Sequence, residues 1–127
     1  GGLYPDDPKL RPQVDQWFFF GTSTFTPLAQ QFGHFTHRSP EKVPAAQAHY
    51  DGVLRDLLSI FDRHLADNEY FAGAYSIADI SSYPDVHIHG VGDAQAAVNR
   101  GGGGAPILMQ FQRTSARVDL LFQSRGL

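Results

Sequence analysis

Six histidines, no cysteine and one Ser-x-x-Asp box are the residues from which this chain would have to build chemistry. Without cysteine, thiolate nucleophiles, disulfides and cysteine-bound zinc are excluded. His34 with His37, and His87 with His89 near Asp85 and Asp93, have the residue types of a metal site. A His-x-His pair shares an ion when a strand presents it, and no strand or third ligand is indicated there, so no metal is expected. Serine, histidine and aspartate all occur, but no nucleophile elbow orients them. The run Gly101-Gly102-Gly103-Gly104 follows no strand and precedes no Lys-Ser/Thr, so it is not a phosphate cradle. Ser76-Ile77-Ala78-Asp79 has the spacing of a reciprocal helix cap. In it Ser76 accepts from the N–H of Asp79, the Asp79 carboxylate reaches back to the N–H of Ser76, and Tyr75 and Ile80 form a hydrophobic staple. Both polar residues are therefore structural and not catalytic. Phe20, Thr24, Leu28 and Gln31 recur at steps of four, four and three, which puts them on one helix face. Periodicity alone does not separate a pocket wall from a core wall, and Trp17, Phe18, Phe25 and Phe32 are read as core.

The elements that must position these groups are helical. Asp7 is a candidate cap, with regular helix established by about Pro12. The aromatic stretch from Val14 to Phe35 contains Pro27, where a kink is expected. Ser39-Pro40-Glu41 has the form of a second helix start: cap, proline, then an acid in the first turn. Ala46, Tyr50, Val53, Leu54, Leu57, Leu58, Phe61 and Leu65 then recur at helical intervals, predicting one amphipathic helix of about six turns that ends near Asp67-Asn68. A short aromatic loop from Tyr70 to Gly73 leads to the Ser76 box, and Pro84 kinks or ends the helix that follows. From His87 to Gly104 the chain is glycine-rich and loses its helical period. Residues Val118, Leu121 and Phe122 give one face of a last weak helix. The fold class expected is all-α, an incomplete bundle of three or four helices.

At 127 residues, the chain is long enough for one domain. A net charge of -3 gives none of the basic footprint that a phosphate backbone demands, so no nucleic acid is expected. No apolar run approaches a membrane span, and the first residues do not have the make-up of a signal peptide. A soluble cytoplasmic protein is the expectation.

In order, a long aromatic helix with an internal proline, a second long helix and Gly73-Ala74-Tyr75-Ser76-Ile77-Ala78-Asp79-Ile80 resemble the C-terminal helical domain of glutathione transferases. Gln16-Trp17, Phe18 to Phe20, Thr26-Pro27, Gln31 and His34-Phe35 are similar, at the same relative spacing, to a segment of the bacterial nu-class and yeast-prion-like transferases. The segment from Pro40-Glu41-Lys42-Val43-Pro44 to Tyr50 resembles their next helix start. The likeness covers residues 3 to 86, and it is specific as a set.

The resemblance implies that Phe20, Thr24, Leu28 and Gln31 line the apolar pocket for a small hydrophobic electrophile. It implies glutathione as co-substrate, thiol conjugation or glutathione-dependent reduction as the reaction, and a homodimer as the assembly. His49 stands where the nu-like relatives carry an arginine that reaches glutathione across the dimer; a shorter imidazole is a poorer carboxylate partner, and a plain surface residue is the preferred reading. In two places the chain departs from the family pattern. The thioredoxin-like domain that activates the glutathione thiol is expected before Leu3 and is missing, so this chain alone is expected to be inactive. After Tyr83-Pro84, the family's aromatic, Pro-x-x-x-x-Trp and Arg-Pro elements do not appear. Residues 1-86 are thus the transferase-like domain, and 87-127 a divergent Gly-rich tail, read as disordered or as translated in a shifted frame. With a loosely packed tail, the apolar faces that include Trp17, Phe20, Tyr50 and Phe61 cannot all be buried, and self-association is expected. A non-catalytic interaction module and an inactive gene fragment are the alternative functions.

Overall fold

A computed structural model of the chain describes residues 2–85. Among the described residues four α-helices run in the order α1 (Arg11–Phe19), α2 (Thr26–Gly33), α3 (Pro44–Asp67) and α4 (Ile77–Asp85), with π-helical segments at Phe20–Phe25 and His34–Arg38. The fold is all-α. The tail expectations, including His87, His89 and the glycine run, lie outside the described residues.

Asp7 does not cap α1. Its carboxylate accepts from the N–H of Lys9 at 2.9 Å and its carbonyl from the N–H of Leu10 at 3.1 Å, which closes a turn just ahead of the helix. Helix α1 then starts at Arg11 with Pro12 in its first turn, where a missing N–H costs nothing. The disturbance expected at Pro27 takes the form of a π-helical stretch immediately before it. There the N–H of Thr26 bonds to the carbonyl of Gly21, five residues back. The wider turn gives way just where the proline ring would crowd the preceding carbonyls.

The second start is displaced from its expected position. Ser39 donates its hydroxyl to the carbonyl of Glu41 at 2.7 Å and closes a turn instead of capping a helix. Helix α3 begins at Pro44, and the N–H of Gln47 to the carbonyl of Val43, 3.1 Å, closes its first turn. Ser39 and Val43, each preceding a proline, are both held out of the helical region, and regular helix is established only after the second. The 24 residues of α3 end at Asp67, and the side-chain amide of Asn68, which follows, donates to the carbonyl of His64 at 2.8 Å.

Helix α3 turns Leu54, Leu57, Phe61 and Leu65 inward. Val14 of α1, Phe25, Ala29 of α2, Phe71 and Ala78 of α4 meet them in one cluster. Phe61 is 0% exposed, with the rings of Phe20, Phe25 and Phe71 set steeply around it at 5.1 to 5.3 Å. Burying a ring this size stabilises by roughly 1.5–3 kcal/mol. Trp17, Phe20 and Tyr50 are half-buried.

Helix α2 packs on α3, and α1 on α4. The approach of α4 to the first π segment is close: a Cβ on Gly21 would meet the Ser82 hydroxyl at 2.9 Å. The loop before α4 holds a γ-turn, with Gly73 at φ +82° and the N–H of Ala74 bonded to the carbonyl of Ala72 at 3.0 Å. The N-terminal segment straps the bundle. The carbonyl of Leu3 accepts the N–H of Ile77, the first residue of α4, at 2.9 Å, and the Tyr4 hydroxyl donates to the Asp15 carboxylate at 2.9 Å.

Candidate functional site

A surface cleft of about 440 Å3 opens along α1 and the first π segment, lined by Gln16, Trp17, Phe19, Phe20, Ser23, Thr24 and, from α3, Ile60. Three aromatic rings and an isoleucine make its apolar surface, and one amide and two hydroxyls its polar one. Among the described residues no charged side chain lines it.

Of the four residues placed on one face by their spacing, Phe20 and Thr24 line this cleft and Leu28 and Gln31 do not. Leu28 packs against the core and Gln31 is exposed. The π segment is the reason. An i→i+5 turn holds an extra residue, so positions beyond it are rotated by about 100° from where a continuous α-helix would carry them. Going toward the N-terminus, the stripe stays in register through Gln16, Phe19, Phe20 and Ser23, and that extension was legible from helical spacing. Ile60 was not, because only the packing of α3 brings it there.

Trp17 is held within a cluster of rings. The His64 ring lies over it at 4.1 Å between centroids with planes 31° apart, and Phe71 and Phe20 follow at 5.3 and 5.9 Å. Nε2 of His64 is 2.7 Å from the carbonyl oxygen of Phe71. His49, in contrast, is exposed on α3 and meets the edge of Tyr50, at 5.1 Å. It does not line the cleft.

Ser76 and Asp79 stand apart from the cleft at the start of α4, 4% and 1% exposed. The Asp79 carboxylate accepts the N–H of Ser76 at 2.9 Å and, with its other oxygen, the N–H of Phe71 at 3.1 Å. The Ser76 hydroxyl accepts from the N–H of Ala78 at 3.3 Å and not from Asp79, whose N–H bonds instead to the Ser76 carbonyl at 3.1 Å. Among the described residues no three metal-ligating side chains gather, and no helix is long and apolar enough to cross a membrane.

No family model matches the chain. It is 31% identical over 105 residues to the disulfide-bond oxidoreductase YghU of Escherichia coli, across 80% of this chain and 36% of that protein. With the disulfide-bond oxidoreductase YfcG of the same organism it shares 32% over 82 residues, 64% of this chain and 38% of the relative. It thus spans little more than a third of either relative. A glutathione transferase from Pseudomonas putida, solved with one glutathione disulfide per subunit, superposes with a TM-score of 0.71 at 28% identity, over 92% of this chain and 50% of that one. In sequence and in fold the chain is glutathione transferase-like, and its described residues form the all-helical fold of that family's C-terminal domain.

Proposed function

We propose that the chain is the substrate-side helical half of a glutathione transferase, and that its cleft receives a small hydrophobic electrophile. The lining carries this reading. Rings from Trp17, Phe19 and Phe20 beside Ile60 favour a flat apolar molecule, while Gln16, Ser23 and Thr24 offer neutral hydrogen bonds. A charged ligand would shed its water there without an opposite charge to compensate. The reaction proposed is thiol conjugation or glutathione-dependent reduction of the bound molecule. A thioredoxin-like domain joined to this one would supply the thiolate, with glutathione as co-substrate, in a cytoplasmic homodimer. Similarity to two disulfide-bond oxidoreductases and to a transferase solved with glutathione disulfide supports this. His49, exposed on α3, is proposed to meet glutathione across that dimer, more weakly than an arginine would. Ser76 and Asp79 hold the start of α4 and take no part in chemistry.

Trp17 is the sole tryptophan and lines the cleft, so its fluorescence reports on occupancy. Titration with 1-chloro-2,4-dinitrobenzene is expected to quench it saturably, with Phe20→Ala weakening the affinity severalfold. Quenching that rises linearly without saturating, and equally in both proteins, would mean collisions only. The reading as an electrophile site would then be abandoned for that of an interaction module.

A further inference from the structure

We propose that His64 is a positioning residue of the cleft: it clamps Trp17 from behind and so fixes the orientation of the ring that forms the cleft wall. Three observations converge on it. Its ring is the nearest to Trp17 among the described aromatic contacts, at 4.1 Å between centroids. Its Nε2 lies 2.7 Å from the Phe71 carbonyl oxygen, so the imidazole is tied to the loop and cannot turn with the indole. His64 and Phe71 stand nearly parallel, planes 2° apart, and both rings contact Trp17. The rings of Phe20, Phe61 and Phe71 hold Trp17 by contact alone. A hydrogen bond is directional, and among the described residues His64 is the ring of this stack that makes one.

The bond also fixes the tautomer. A carbonyl only accepts, so Nε2 of His64 carries the hydrogen and Nδ1 is bare in the neutral ring. The loop that receives this bond is itself anchored, because the N–H of Phe71 donates to the buried Asp79 carboxylate. A continuous line of contacts thus runs from the start of α4 through Phe71 and His64 to the cleft wall. Orientation of Trp17 is a property of the free protein. The consequence for affinity rests on the cleft being the electrophile site proposed above.

The test has one arm for each. In the full chain at pH 8, nitrogen NMR should show Nε2 of His64 as the protonated nitrogen, and Trp17 fluorescence should be strongly anisotropic with a single lifetime environment. His64→Phe keeps a ring without the bond, and His64→Gln keeps a donor without the stacking. Each should broaden the Trp17 environment while leaving the helical circular dichroism unchanged. Each should also weaken 1-chloro-2,4-dinitrobenzene binding by about tenfold, the change expected when one directional contact of ordinary strength is lost. Saturable binding by the unaltered chain that both variants match would overturn the positioning role, as would a proton on Nδ1. If the unaltered chain does not bind saturably, the electrophile site itself fails. The clamp is then judged on the tautomer and the Trp17 environment, and unchanged Trp17 signals in both variants would reject it.

Discussion

Asp79 is 1% exposed, yet its two oxygens accept backbone N–H groups from both sides of a loop, Phe71 and Ser76. A buried carboxylate in this role leaves orphaned donors when it is removed, and the penalty exceeds that of one ordinary bond. Asp79→Ala is therefore expected to cost roughly 2–3 kcal/mol and Ser76→Ala, which loses a longer bond, about 1 kcal/mol. Urea midpoints that fall in that order check this; equal midpoints would remove the asymmetry. Tyr4 sits at the other end of the strap. The hydrogen bond to Asp15 raises its hydroxyl above the usual phenol range, burial and the Asp15 charge add to this, and Arg11 opposes it. A raised pKa in the fold means the contribution is fully present below the unfolded value, about 10, and fades as pH rises through the folded one. Stability at pH 7 and 8 should thus show no dependence on Tyr4 ionisation. In an absorbance titration of the five tyrosines, Tyr4→Phe should remove a late-titrating one.

At the scale of the elements, the first π segment matters most. It relieves Pro27, turns the rest of the rod to a new face, and brings Gly21 against α4. Gly21→Ala places a methyl 2.9 Å from the Ser82 hydroxyl, which already donates to the Ala78 carbonyl at 3.0 Å. Either that bond breaks or the helices part. A loss of about 1–3 kcal/mol is expected, against the gain that alanine brings on an open helix face. Gly52→Ala on α3 is the control, since a Cβ there meets nothing within 4 Å, and it should stabilise by up to about 1 kcal/mol. Thermal midpoints moving in opposite directions for the two variants would bear out the close approach. A stable Gly21→Ala would show that α4 yields.

For the whole molecule, the chain matches little more than a third of its curated relatives and half of a solved transferase. Glutathione conjugation requires an activated thiolate, and among the described residues none lining the cleft is a cation or a base suited to making one. The isolated 127-residue chain is expected to bind the nitroaromatic without turning it over in the presence of glutathione. Product formation above a buffer blank, in protein free of contaminating transferase, would contradict this.

The all-α class, the long third helix and the carboxylate turned back at Asp79 were legible in the sequence because each rests on local spacing. Apolar residues three and four apart must share a face, and a Ser-x-x-Asp box brings its groups within reach through a single turn. The choice of Pro44 over Pro40 and the π turn ahead of Pro27 were decided by tertiary structure. In each, local rules allow more than one outcome, and packing chooses between them. The cleft shows the same division. Phe20 and Thr24 came from periodicity, Leu28 and Gln31 were lost to one extra residue in a turn, and Ile60 and His64 arrive from a helix far along the chain. Spacing determines which side chains share a face; only the packed fold decides what that face meets.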